Sequence, residues 1–329
     1  MKIMITGAAG QDGIFLTRQI LQSSGEHQVF ALGRDKNKFL DRLSLLGGEA
    51  LVKVFDDYGQ FLACDVTNKS MVTESIETVR PDVIFHLAAV VESLMLPDHD
   101  STLLHQNMDG LLYLLEACDK SKISPHIINA GSSLMFGQTS ASRVDENTPF
   151  KPMTPYGVAK VAAHQFANIY RTYNNQNIST AILFNHESIF REERWLPIKI
   201  IMGAVRIKTG DASTLSLGTL DAERDWSDAE DIVDGLFRIM KKKAANEDFV
   251  LGSGQLTSIT DLLNIAFGYL DLDWRDFVKV DTNQGRKNDV KGIYADISKA
   301  ASLLDWQPLQ STSQWITHLV DHHMAKVRS

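Results

Sequence analysis

MKIMITGAAGQDG, residues 1–13, passes from a short apolar run at Lys2–Thr6 directly into a turn carrying Gly7, Gly10 and Gly13. From Ile14 to Ser23 the apolar residues then recur at helical spacing, so the segment reads as strand, glycine loop and helix. Glycines at such a junction let the backbone and the helix N-terminus approach a pyrophosphate. The placement between a strand and a helix carries the assignment of a dinucleotide site; the triplet alone does not.

Working outward, further strands are expected at Gln28–Leu32, Phe61–Ala63, Asp82–Leu87, His126–Asn129 and Thr180–Phe184, with helical patterns such as Thr102–Ser121 between them. Strands alternating with helices imply an α/β fold with a doubly wound parallel sheet covered on both faces. After Phe184 the alternation weakens. A helix is expected at Ile198–Lys208, a strand near Thr214–Leu217 and a helix at Ala229–Lys242. Val250–Leu251, a helix at Ser258–Leu270 and the tail Ser298–Met324 then complete a smaller α/β C-terminal substrate lobe. The expected division is a dinucleotide-binding domain at 1–185 and a lobe at 186–329, with segments near 214–242 and 290–297 returning to the first.

The length of 329 residues suits two such units, being about twice the ~150-residue prior for one domain. A net charge of -8 argues against an overall basic footprint for nucleic acid or an anionic membrane, so an anionic substrate must be met by local cations. The two cysteines, Cys64 and Cys118, fit core thiols in a reducing compartment and argue against a disulfide scaffold or a cysteine metal cluster; no metal is expected. No apolar run approaches the ~18 residues of a membrane span, and the strand opening at residue 2 leaves no room for a signal peptide. A cytoplasmic protein is expected.

NAD sites place a carboxylate after the second strand to hold the ribose hydroxyls, but here Gly33 is followed by Arg34. Arg34, helped by Lys36, suits the 2'-phosphate of NADP, while Asp35 keeps NAD open. Asp65 and Val66 in CDVTN end the third strand, and Leu87, Ala88 and Ala89 offer a small apolar wall after the fourth.

Tyr156 and Lys160 in PYGVAK are four residues apart, which puts both on one helix face. A lysine charge beside the phenol would lower its pKa and let it exchange a proton with a sugar hydroxyl. Ser132 and Ser133 in AGSSLMFG are candidates to hold the substrate oxygen, with a turn-stabilising role for one of them equally open.

Taken together these motifs resemble the extended short-chain dehydrogenase/reductases, the NAD-dependent epimerase/dehydratase family with a Rossmann fold. Within it they are closest to the GDP-mannose 4,6-dehydratase branch. GQDG (10–13), LFNHES (183–188), LGTLDAERDW (217–226) and RKNDV (286–290) carry that likeness over most of the chain. The resemblance implies an NADP-dependent enzyme that transfers hydride at carbon 4 of a nucleotide-diphosphate sugar, most naturally GDP-linked. It places Gln11, Asp12, Phe184 and His186 at the cofactor, Asn185 at the sugar-nucleotide phosphates, and Arg224 and Arg286 on the diphosphate, with Lys199 and Arg206 as helpers. It also implies a homodimer or tetramer through the Tyr156 helix and the Thr102–Ser121 helix.

One departure bears on the reaction. Where the dehydratases carry the glutamate that removes the carbon 5 proton, this chain has Leu134, and Phe136 replaces the family's tyrosine. Glu92 in AAVVES is a candidate replacement base. Leucine transfers no proton, so a 4-keto-sugar reductase, a 4-dehydrogenase or an epimerase stands beside the dehydratase, and a non-catalytic NADP-binding sensor is the alternative of another class.

Overall fold

The computed structural model describes residues 1–23, 26–90, 100–281 and 292–328. Its main sheet has seven strands: β1 (Lys2–Thr6), β2 (Gln28–Gly33), β3 (Gly59–Ala63), β4 (Val83–His86), β5 (His126–Ala130), β6 (Asn177–Leu183) and β7 (Phe249–Leu251). They lie in the order β7-β6-β5-β4-β1-β2-β3, every neighbouring pair parallel. The chain winds one way from β1 to β3 and the other way from β4 onward. The crevice at the carboxyl ends of β1 and β4 is therefore the topological switch point where such sheets bind ligands.

Both faces of the sheet are covered, which is why its strands read as nearly continuous apolar runs. On one face, α1 (Gln11–Gln22), α2 (Lys36–Tyr58) and α7 (Ala229–Lys241) pack on Ile3, Ile5, Val29, Phe85 and Ile128. On the other, α3 (Lys69–Val79), α4 (Asp100–Lys120) and α5 (Pro155–Tyr173) cover Met4, Phe30, Ile84, Ile127 and Ile178. Alternate residues of each strand supply the two cores, as the period of two requires. A second apolar core joins α6 (Leu196–Thr209), α8 (Ile259–Gly268) and α10 (Thr312–Arg328) through Ile201, Phe267 and Trp315.

One expectation from the sequence is corrected. Val250–Leu251 is not part of the lobe; it hydrogen-bonds to β6 as the edge strand of the main sheet. Of the segments near 214–242 and 290–297, Leu215–Leu217 pairs with Val278–Val280 outside that sheet, α7 packs on it, and Tyr294–Ala295 pairs with Arg143–Val144. The tail is two helices, because after α9 (Ser298–Leu304) Asp305 turns left-handed at φ 54° and sends Trp306 into the core. Trp306 is 1% exposed and its indole N–H donates to the Asp231 carbonyl at 3.0 Å. Trp306→Ala removes that bond and opens a cavity, so chemical denaturation is expected to show a loss of about 3–5 kcal/mol.

Candidate active site

The glycine turn is held by contacts that leave no space for side chains. Gly7 adopts φ +68°, and a Cβ there would stand 2.8 Å from the Ala88 backbone. Gly10 donates its N–H to the Gly7 carbonyl at 2.8 Å and starts α1, so the first N–H groups of that helix face the crevice between β1 and β4. Gly13 lies against Ala8 and the Gly7 carbonyl. The arrangement is a cradle of backbone donors, fitted to a pyrophosphate.

Below it, Thr6 Oγ1 lies 2.9 Å from His86 Nδ1 and accepts the Ala88 N–H at 3.3 Å, tying the ends of β1 and β4 together. Leu87 is half-buried and Ala89 is exposed beyond it. Burial, with a smaller push from Lys160, brings His86 down to about 3. Its ring therefore stays neutral in the folded protein, whereas an unfolded histidine takes up its proton near about pH 6.5. Between those values only the unfolded chain binds the extra proton. Stability should fall as pH drops through that window, by at most ~1.4 kcal/mol per unit from this residue. Urea titrations at about pH 7 and about pH 5 should show His86→Asn losing that increment of pH dependence.

Past β2, Arg34 is exposed, and its charge helps to hold Asp65 below the usual carboxylate range, after the larger effect of the Thr67 N–H. Asp65 Oδ1 accepts both the Thr67 N–H, at 3.0 Å, and the Thr67 hydroxyl, at 2.8 Å. Val66 is half-buried against the core under α4.

Tyr156 and Lys160 are both buried on the sheet-facing side of α5. Thr154 caps this helix by accepting the Gly157 N–H at 3.0 Å, and Pro155 occupies its first turn. A Cβ on Gly157 would lie 2.6 Å from the Leu134 carbonyl, so glycine lets α5 approach the Ser133–Met135 turn. Ser132 caps that turn by accepting the Leu134 N–H at 3.2 Å and also hydrogen-bonds Tyr156. Ser133 is buried inside the turn, and Phe136 is fully buried beside Phe150 and Phe184.

Lys160 Nζ donates to the Ala130 carbonyl at 2.9 Å, and burial brings it down to about 8. Burial also pushes the Tyr156 phenol above its ordinary value; Ser132 and Arg191 pull it back and Asp12 pushes it further up. Arg191 is a cation that lowers Tyr156, and the Lys160 ammonium stands 5.7 Å from the centre of the same ring. Arg191 stacks on Trp195 at 4.0 Å and lies 3.2 Å from the buried Glu187 carboxylate. The only sequence signal for it was its place three residues beyond LFNHES.

Residues of the glycine loop reach that same segment. Gln11 Nε2 donates to the His186 carbonyl at 3.2 Å, Ser188 Oγ donates to Gln11 Oε1 at 2.6 Å, and His186 Nε2 lies 3.0 Å from Asp12 Oδ1. Phe184 is buried and its N–H donates to the Leu251 carbonyl at 2.9 Å. Asn185 follows in a short strand, Asn185–Glu187, parallel to Trp226–Asp228.

Arg224 lies in the strand Glu223–Arg224, paired with Thr257–Ser258. Next to it the fully buried Asp225, also unforeseen, accepts from the Ser253, Gly254 and Ala295 N–H groups and the Ser253 hydroxyl. It ties the Arg224 strand to the chain on either side of it. Lys199 is half-buried on α6, and Arg206 pairs through both guanidinium nitrogens with Glu193. Glu92 and Arg286 lie outside the described residues. Among the described residues no group of three or more His, Cys, Asp or Glu side chains is arranged to hold a metal ion, and no helix is long and apolar enough to cross a membrane.

Comparison with known proteins bears on the same elements. A family model described as GDP-mannose 4,6 dehydratase matches residues 4–319. GDP-mannose 4,6 dehydratase 2 of Arabidopsis thaliana is 32% identical over 335 residues, covering 98% of this chain and 86% of that protein. Among solved structures, a dTDP-glucose 4,6-dehydratase from Streptomyces venezuelae superposes with a TM-score of 0.83 at 19% identity, over 100% of this chain and 98% of that one. UDP-glucose 4-epimerase from Thermotoga maritima does so with 0.81 at 20% identity over all of both chains. With the family model spanning nearly every element that builds the crevice, the chain belongs to the GDP-mannose 4,6-dehydratase family.

Proposed function

We propose that the chain is an NADP-dependent enzyme acting on a GDP-linked sugar, with hydride transfer at sugar carbon 4 and Tyr156 handling the proton. The observation that carries this reading is the burial of Tyr156 and Lys160 on one face of α5, with Ser132 hydrogen-bonded to the phenol, beside a glycine cradle at the switch point. NADP, when bound there, supplies the hydride acceptor or donor. Arg34 is suited to its 2'-phosphate, the N-terminus of α1 to its pyrophosphate, and Lys160 to its ribose hydroxyls. In this reading the seven-stranded unit holds the cofactor. Arg224, with Lys199 and Arg206 of the lobe and Asn185 at the end of the cofactor unit, serves the sugar diphosphate, since planar guanidinium groups bind phosphate oxygens in pairs. Arg286, outside the described residues, is assigned there by the resemblance alone.

Leu134 favours a second reading within the same family. It occupies the turn against α5 where the resemblance expects a glutamate, and it cannot take the carbon 5 proton that elimination requires. Pushed above its ordinary value, Tyr156 also keeps its proton at neutral pH and is set to give it to a carbonyl oxygen. Both features suit a 4-keto-sugar reductase better than a complete dehydratase, and Leu134 by itself also leaves a 4-dehydrogenase or an epimerase, which need no carbon 5 base.

Incubation with GDP-mannose and NADP in heavy water, and in parallel with a GDP-4-keto sugar and NADPH, each followed by mass spectrometry, separates the two. Retention of the water and no deuterium at carbon 5, with NADPH-dependent consumption of a GDP-4-keto sugar, is the expected result. Loss of one water with deuterium gained would show that another base, Glu92 first, performs the elimination.

The family resemblance and the outer edge of α5, where Val158, Ile169 and Tyr173 are exposed, support assembly as a homodimer or tetramer through α4 and α5. Solution scattering returning a monomer mass would reject it. A cytoplasmic location fits the two reduced cysteines.

A further inference from the structure

His186 is in contact through both ring nitrogens, and both contacts are to acceptors. Its Nδ1 lies 2.6 Å from the Phe184 carbonyl oxygen and its Nε2 lies 3.0 Å from Asp12 Oδ1. A carbonyl oxygen only accepts, so Nδ1 carries a hydrogen. A neutral imidazole has one N–H, which would leave Nε2 a bare acceptor facing a carboxyl oxygen.

The surrounding hydrogen bonds bear on which partner holds the second proton. Ser188 donates to Gln11 Oε1 at 2.6 Å, so both hydrogens of Gln11 Nε2 are directed elsewhere, to the His186 carbonyl at 3.2 Å and to Asp12 Oδ1 at 3.3 Å. An oxygen that already accepts the Gln11 amide suits an ionised carboxylate better than a protonated one, and a carboxylate facing Nε2 favours the proton on the ring. The side chains are 13% and 21% exposed, so the pair is largely withdrawn from water and screening salt.

The charges facing this pair come from three elements. Asp12 is in the first turn of α1, Glu187 and Arg191 flank His186 in its own segment, and the Tyr156 phenol on α5 feels the charges of Asp12 and Arg191. Burial works against the cation and Arg191 opposes it, yet Asp12 and the Phe184 carbonyl together hold His186 above its ordinary value. Asp12 is in turn held low, against its own burial, chiefly by His186. Asp12 also makes the Tyr156 phenol harder to ionise.

We propose that His186 is a standing imidazolium that offsets the charge of Asp12 at Tyr156, making it a positioning residue for the ionisation of that phenol. The coupling rests on the reading of Tyr156 as the proton carrier; the imidazolium does not. When His186 loses its proton, Asp12 acts on Tyr156 unopposed and the phenol holds its proton more tightly. The same loss also leaves a carboxylate facing a bare nitrogen, weakening the strut between the glycine loop and residues 184–188.

Two measurements test this. The first is long-range nitrogen–hydrogen NMR on the ligand-free protein with labelled histidine, at about pH 8, well above the ordinary imidazole value of about 6.5. His186 is identified by comparison with His186→Asn, and both of its nitrogens are expected to carry protons; the pattern of a neutral tautomer overturns the proposal. The second is the pH profile of kcat in wild type, His186→Asn, Asp12→Asn and the double variant. Removing the cation alone should move the tyrosine limb to higher pH. In the oxidation direction, where the phenolate takes the proton, a move of about one unit is a tenfold loss at fixed pH below the limb. In the reduction direction, where the phenol gives it, the falling limb moves up with no loss below it. Removing both charges should return the limb toward wild type. A limb unmoved in His186→Asn overturns the coupling, and a merely structural role would lower kcat without moving it. Turnover surviving in Tyr156→Phe would sink the proton-carrier reading and the coupling with it, while the NMR result still decides the imidazolium.

Discussion

Tyr156→Phe is expected to lower kcat about 10²–10⁴-fold, the usual contribution of one positioned acid/base group. The substitution removes a single oxygen from a ring that is 7% exposed, so the packing on α5 persists and only the hydrogen bond to Ser132 is lost. A bond of that kind is worth roughly 1 kcal/mol, too little to unfold the protein. Cofactor binding, followed by the fluorescence of NADPH, should stay within about threefold. Initial rates and a melting curve on the same preparation then separate chemistry from stability. Loss of rate with an intact fold identifies an enzyme; a non-catalytic NADP sensor would be indifferent to the change.

The glycine turn should respond still more sharply. At Gly7 any side chain meets two obstacles, a backbone at φ +68° and a Cβ 2.8 Å from Ala88 Cα and N. Left-handed backbone disfavours a β-branched residue, and the facing atoms are main chain, which cannot rotate aside. Gly7→Val is therefore expected to destabilise the fold by about 1–3 kcal/mol through overpacking. Pushing the end of β4 away from β1 also spreads the crevice, so cofactor affinity should fall about 100-fold or more, near 3 kcal/mol. Gly10→Ala is the informative comparison. Its Cβ would meet only the Gly7 carbonyl, at 3.0 Å, on a backbone of ordinary φ. That variant should keep most of its stability and lose cofactor binding, because its missing side chain serves the approach of the ligand. Calorimetric titration with NADP alongside denaturation checks both. Equal losses of stability in the two variants would mean that the turn is built for packing alone.

Several parts of this protein are legible in the residues because they depend on near neighbours. The strand at Lys2–Thr6, the glycines after it and the helix from Gln11 follow from an apolar run, residues without side chains and a period of 3.6, all within 22 positions. The spacing of Tyr156 and Lys160 is likewise local, since four residues make about one helical turn. Helix α2 was harder to see, because Gly47 and Gly48 interrupt it with non-helical backbone in mid-course. Short strands carry too few residues for periodicity to place them: Val250–Leu251 reads as part of the lobe, and only its pairing with β6 puts it at the edge of the main sheet.

The electrostatics of the site belong to the tertiary structure alone. His186 and Asp12 are 174 positions apart in the chain, and Ser188 and Gln11 are 177 apart. Arg191 acts on Tyr156 from a separate element, and nothing in the residue order marks it as the cation that does so. Lys160, whose ammonium stands 5.7 Å from the Tyr156 ring centre, also donates to the Ala130 carbonyl and is itself brought down by burial, neither of which the spacing of the two residues reveals. Sequence determined which chemical groups this protein owns and which short segments could fold, because propensity, turn chemistry and periodicity act over a few residues. Packing decided which of those groups face one another out of water, and Coulombic effects become strong enough to set a proton's place only at such short distances in a poorly screened interior.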